Sequence, residues 1–355
     1  MVGKKKHRFP NLACMKISGY YKSGGHNVQL KTNYDNLDKY DKIFISKVFT
    51  DTPVDSRILK MDNVEYGGTG FFYDRAPDLP HEIEHHMPDY HLYDEYVAEK
   101  LADGKSPTQY KYYTDYSIAY ATRGCFRHCP FCVNRNYNRV ELHSPIQEFL
   151  DPKRKKICLL DDNFLGYEGW EDILNELKQT GKPFQFKQGL DERLLNDKKC
   201  QALFQDCKYD GDYIFAFDNI EDWEVVERGL KLIRKYTDRI CKFYVFCGYD
   251  RASKYDEEFW VQDLKDMFER IGLLREYHCL PYIMRYAKYI ESPYQGIYKT
   301  VAAWCNQPSF FKKMSLREFC IASLKGTQSR VKYLAQMEND IPEIKKYSDV
   351  KWESQ

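Results

Sequence analysis

The sequence predicts a mixed α/β protein: a small α/β unit, then a partial, TIM-like (β/α)6 barrel, then a helical extension. Three observations predict it. From Tyr116 onward, short β-branched and aromatic runs alternate with longer stretches of helical apolar spacing. Six such units can be counted, too few to close the standard eight-unit barrel, so an open barrel is expected. Beyond residue 293 the strand pattern stops and only helical periodicity continues.

Taken in order, residues 1–75 read as a truncated Rossmann-like unit. Leu12, Met15, Ile17 and Tyr20 give residues 11–24 a helical face, closed by Gly24-Gly25. Strands are expected at 26–31, 42–49 and 64–66, the last running into Gly67-Gly68-Thr69-Gly70, and alternation of helix with strand favours parallel pairing. No strand precedes the first helix, where a doubly wound domain normally has one. Residues 76–114 carry Pro77, Pro80, Pro88 and Pro107 and read as a solvated linker; the alternative for His81, His85, His86 and His91 is zinc, since His81 and His85 share a helix face. The barrel spans 115–292, with strands expected at 117–122, 156–160, 183–187, 213–217, 242–247 and 278–284. Its helices are expected at 170–179, 197–205, 223–236 and 257–272; those of the extension, 293–355, lie at 294–305, 316–324 and 330–337.

Composition narrows the function classes. The 355 residues carry a formal charge of +1, so no global field steers the chain to nucleic acid or an anionic membrane. Basic pieces at 4–8, 153–156 and 312–313 alternate with acidic ones and read as solvated faces, so nucleic acid is not indicated. The basic start lacks an apolar segment behind it, and no run is long and apolar enough to span a bilayer, so a cytoplasmic protein with no membrane contact is expected. Twelve cysteines there point to free thiols and a metal or redox site rather than to disulfides.

The chemistry-bearing motif follows the first barrel strand. Cys125, Cys129 and Cys132 stand in the pattern Cys-x3-Cys-x2-Cys. Thiolates hold iron–sulfur clusters, normally four to a four-iron cluster, so three on one loop leave one iron open. An open metal position is what metal-centred catalysis requires. The alternative is structural zinc on the three cysteines plus His128, which lacks the usual second Cys-x2-Cys knuckle.

This spacing, with an aromatic residue, Phe131, before the last cysteine, resembles the radical S-adenosyl-L-methionine (SAM) superfamily. The resemblance implies a 4Fe-4S cluster on the three cysteines, SAM on the open iron, a reductant such as flavodoxin or ferredoxin, and Phe131 near the adenine. It also implies that Asp162 and Asn163, ending the second barrel strand, belong to the SAM site, although the Gly-Gly-Glu form common in that family is absent. Among later strand ends, Gln188 can face the barrel mouth and Arg193 can hold a carboxylate bidentately. Asp218 ends the fourth strand, and Gly248 can let backbone approach adenine. Cys247 and Tyr249 at the fifth strand end are catalytic candidates, Cys247 as a hydrogen-atom donor or quencher. The alternative for each is a structural hydrogen bond.

A small Rossmann-like unit followed by such a barrel resembles the cobalamin-binding class. Pro10-Asn11-Leu12-Ala13, Ser46-Lys47-Val48-Phe49, Gly67-Gly68-Thr69-Gly70 and Gln188-Gly189-Leu190-Asp191 are similar to radical SAM proteins of gut bacteria and phages, a resemblance that brings no substrate with it. The usual Asp-x-His-x-x-Gly cobalamin motif is missing around His7, which leaves two readings open: corrinoid binding, or a domain that shapes the substrate channel. The expected function is reductive SAM cleavage on an unidentified substrate, such as modification of a macromolecule. The alternative from another class is a non-catalytic zinc or nucleic-acid-binding protein.

Overall fold

A computed structural model describes residues 9–73, 76–322 and 328–352. His7 and the basic segment 4–8 therefore lie outside the described residues. The chain forms two compact units, Met1–Lys187 and Gln188–Gln355. The division falls inside the expected 115–292 domain, between its third and fourth strands, and none of the expected boundaries coincides with it.

The first unit opens with α1 (Leu12–Ser23), capped by the Asn11 side chain, which accepts from the Cys14 N–H at 3.1 Å. Two strands follow, β1 (Ile43–Ser46) and β2 (Val64–Gly67), paired in parallel from Ile43 with Val64 to Ser46 with Gly67. The expected strand at 26–31 does not form. Leu30 packs against the cluster around Met15, and among the described residues no strand pairs with the segment to satisfy its backbone. The strand expected at 42–49 is also shorter. The Lys47 carbonyl accepts from Gly70 N at 2.8 Å, in a crossing where Gly68 has φ +102° and a Cβ on it would lie 2.4 Å from that oxygen.

Residues 76–114 are folded, not a solvated linker. They form α2 (His81–Glu84), α3 (Asp94–Ala102), a 3-10 turn at Pro107–Tyr110 and α4 (Lys111–Thr114). Tyr90, Tyr93, Val97, Tyr110 and Tyr113 are buried in one cluster with Met15. Proline and acidic residues suggested solvent exposure, but tyrosines at helical spacing supply a buried face. His81 and His85 do share a face. The His85 ring lies 4.4 Å from that of His81 and 5.2 Å from that of His143, and the Glu148 and Glu84 carboxylates pair with His85 and His143.

The unit continues with β3 (Tyr116–Ala119), a short antiparallel pair β4 (Thr122–Arg123) and β5 (Glu141–Leu142), then β6 (Lys156–Leu159), α5 (Trp170–Gln179) and β7 (Phe184–Phe186). Strands β3, β6 and β7 make a parallel sheet in that order, with β6 central. The single strand expected at 117–122 is broken, because the Asp161 carboxylate takes the N–H groups of Ala121 and Thr122.

The second unit repeats the rhythm: α6 (Asp197–Phe204), β8 (Ile214–Ala216), α7 (Trp223–Tyr236), β9 (Lys242–Cys247), α8 (Glu257–Glu276) and β10 (Leu280–Arg285). These strands form a second parallel sheet, β8-β9-β10. Burial alternates along β9, so Phe243, Val245 and Cys247 share the covered face. On α8, Arg270 donates to the carbonyls of Phe217 and Phe246, both at 2.9 Å, tying together the ends of β8 and β9. Helices α9 (Gln295–Cys305), α10 (Pro308–Phe311), α11 (Leu316–Ala322), α12 (Ser329–Asp340) and α13 (Lys345–Ser348) complete the chain. The expected helix end at Leu324 lies outside the described residues. The protein is mixed α/β with small parallel sheets, and no described helix is long and apolar enough to cross a membrane.

Candidate functional site

The cysteine loop is built by its flanks. Gly124 takes φ +96°, and a Cβ there would stand 2.3 Å from the Arg139 carbonyl oxygen, so only glycine lets the chain leave β4 this way. Cys132 N donates to the Cys129 carbonyl at 2.9 Å, and further turns follow to Tyr137. His128, at φ +50°, donates Nδ1–H to the Arg135 carbonyl at 2.7 Å and closes the loop from within. Phe126 packs where Gly166 leaves room, since a Cβ on Gly166 would meet its ring at 2.7 Å.

Three consecutive polar residues after β6 hold this loop. Asp161 is fully buried and accepts from Ala121 N, Thr122 N and the Thr122 hydroxyl at 3.1, 2.7 and 2.7 Å. Burial pushes its carboxyl up to about 7, against the pull of those hydrogen bonds. Asp162 spans the motif: it accepts from Gly124 N at 2.9 Å just before Cys125, and from the Asn134 side-chain amide at 2.7 Å just after Cys132. Arg123 lies 3.5 Å from the same carboxylate and 4.0 Å over the Tyr120 ring. Asn163 donates its side-chain amide to the Cys125 sulfur at 3.5 Å, and Asn134 N donates to the Cys132 sulfur at 3.4 Å. Asp162 and Asn163, expected to belong to the SAM site, thus lie beside the cysteine motif. Asp162, however, binds the loop, and that is where its hydrogen-bonding capacity goes.

Cys125, Cys129 and Cys132 are all half-buried. Among the described residues, no group of three or more His, Cys, Asp or Glu side chains is drawn together to hold a single metal ion. A four-iron cluster makes a different demand, because each thiolate meets a different iron. Three soft donors on one loop, two of them already accepting N–H bonds at sulfur, fit that group in donor chemistry. Phe131 is half-buried, and its carbonyl accepts from the Tyr73 hydroxyl at 2.7 Å.

In the second unit, Arg193, Asp218, Gly248 and Cys247 make structural hydrogen bonds. Gln188 is exposed. Arg193 is not free to clamp a ligand carboxylate, because it donates to Asp191 at 2.7 Å and to Asp222 at 3.2 Å. Asp218 accepts from Phe246 N at 3.0 Å, and burial raises its carboxyl to about 6 despite the nearby Arg270 charge. Gly248 takes φ +77°, and its N–H is given to Asp263 at 2.9 Å. Cys247 is 1% exposed, its thiol donates to the Met284 carbonyl, and burial raises its pKa well above that of a free thiol. Strand parity puts it on the covered face of β9, which argues against a hydrogen-atom donor at the open strand end. Tyr249 is half-buried, its ring edge-on to Tyr286 at 4.9 Å.

Sequence reasoning missed Asn134, Arg123 and Tyr73. Asn134 was within reach, lying two residues beyond the last cysteine; Tyr73 is 58 residues from its partner and left no local signal. No protein-family model matches the chain, and no curated protein matches it.

Proposed function

We propose that the protein is a radical SAM enzyme, with a 4Fe-4S cluster on Cys125, Cys129 and Cys132. The observation that carries this reading is a loop of three cysteines in Cys-x3-Cys-x2-Cys spacing, held at both ends by one carboxylate. The cluster and SAM together supply, on one-electron reduction by a flavodoxin or ferredoxin, a 5′-deoxyadenosyl radical that abstracts hydrogen from the substrate. The chain's part is to hold and insulate. Asp162 holds the loop, Asn163 and Asn134 direct N–H groups at ligand sulfurs, and Phe131 offers a ring for the adenine. The repeated strand–helix units, each with parallel pairing, support the reading of a partial (β/α)6 barrel.

Anaerobic reconstitution with iron and sulfide tests the proposal. The expected result is a brown protein with about four irons per chain and dithionite-dependent release of 5′-deoxyadenosine. Both are expected to disappear when the three cysteines are replaced by Ala. A colourless protein holding stoichiometric zinc and leaving SAM intact would overturn it, in favour of a structural zinc role.

A further inference from the structure

The second unit contains a buried cation with no hydrogen-bond acceptor among the described residues. Arg275, near the end of α8, is 7% exposed, and its Nε, Nη1 and Nη2 atoms are all buried with no hydrogen-bond partner. Other buried arginines here are satisfied by carbonyls: Arg270 by those of Phe217 and Phe246, Arg154 by those of Tyr113 and Tyr90. Arg275 has instead the rings of Trp304 and Phe311, at 5.9 and 5.7 Å. A cation–π contact contributes about 0.5–2 kcal/mol, whereas an uncompensated buried ion costs several kcal/mol. A guanidinium does not escape by losing its proton. The rings alone therefore leave Arg275 unbalanced.

A second orphan lies in the same layer. Ser348, at the end of α13, is fully buried, and its hydroxyl has no partner. The preceding residue, Tyr347, stacks on Phe268 and packs against Gly272, three residues before Arg275 on α8. The ionisable groups whose charge acts on Arg275 are Cys305, Glu276 and Tyr347, and Lys312 sits farther out, 5.6 Å over the Trp352 ring, which lies 5.7 Å from Phe311. Glu276, the adjacent acid, is exposed. A guanidinium fork, a hydroxyl and apolar walls, with no hydrogen-bond acceptor for them among the described residues, form the donor set that recognises an oxyanion.

We propose that Arg275 anchors a buried oxyanion site beneath the C-terminal helices of the second unit. A small carboxylate or phosphate group accepts the guanidinium fork between Trp304 and Phe311, with the Ser348 hydroxyl as a further donor. This site is independent of the cysteine loop and of any reading of it.

The test is thermal unfolding of the full chain at constant pH and ionic strength, in acetate, phosphate or chloride, comparing wild type with Arg275→Met. Phosphate stabilises proteins generally, so the readout is the difference between the two proteins. The wild-type Tm is expected to rise with the logarithm of oxyanion concentration, as for a ligand of the native state, and Arg275→Met is expected to lose that rise. Acetate acting alone assigns a carboxylate, and phosphate acting alone a phosphate group. Equal responses in both proteins, or none in the wild type, would overturn the proposal. So would an Arg275→Met protein more stable in every salt, the behaviour of a charge that is merely unpaired. Arg275→Lys keeps the charge and removes the fork. It is expected to lose most of the oxyanion response and provides the comparison if the Met variant does not fold.

Discussion

Replacing Asp162 by Ala is expected to loosen the cysteine loop at both ends together. Its carboxylate accepts from Gly124 N at 2.9 Å and from the Asn134 amide at 2.7 Å, and the side chain is only 8% exposed, so water does not readily replace it. Hydrogen bonds to a charged acceptor contribute about 1.5–3 kcal/mol each, so losing two costs about 3–6 kcal/mol. Arg123 adds less, since its guanidinium is 3.5 Å away and its side chain keeps 31% exposure. At about 1.4 kcal/mol per tenfold, the cluster-binding conformation becomes roughly a hundredfold or more rarer. Asp162→Asn has the same shape, but its NH2 must face one of the two donors, so about half the loss is expected. The assay is iron retention during a chelator challenge of the anaerobically reconstituted protein, alongside urea unfolding. Asp162→Ala that keeps iron as the wild type does, with unfolding free energy within about 1 kcal/mol, would refute the assignment of Asp162 as the tie across the loop.

Asn163→Leu removes the N–H bond to the Cys125 sulfur while keeping the side chain's shape. The reconstituted cluster is expected to titrate at a more negative potential, with an EPR-monitored redox titration as the check and an unchanged potential as the contrary result. Gly124→Ala places a Cβ 2.3 Å from the Arg139 carbonyl at φ +96° and is expected to cost more than about 2 kcal/mol and prevent cluster assembly, read by iron content and circular dichroism. Burial raises Asp218 from 3.8 to about 6, so the native state binds the extra proton and stability falls as pH rises from about 4 to about 6. That fall amounts to about 3 kcal/mol in full, of which about 2 kcal/mol lies above pH 4.5. Asp218→Asn is expected to remove this component, measured as the difference in urea unfolding free energy between pH 4.5 and 7.

The sequence by itself determined the elements whose signals are local. Strands expected at 156–160, 183–187 and 242–247 appear as β6, β7 and β9, and α5 and α7 fall on the residues their apolar spacing marked. The spacing of Cys125, Cys129 and Cys132 was equally legible, because it lies within one loop. Tertiary structure decided what depends on partners distant in sequence. Residues 26–31 have strand-like alternation but no neighbouring strand, and residues 76–114 look like a linker until Tyr90, Tyr93 and Tyr113 meet Met15. At the site, composition marks Asp162 as polar at a strand end. Only folding brings Gly124 and Asn134 to it across 38 and 28 residues, making the carboxylate a tie for the thiol loop. A strand's period is set by adjacent residues, whereas a polar side chain's role is set by whichever groups the fold delivers within about 3 Å.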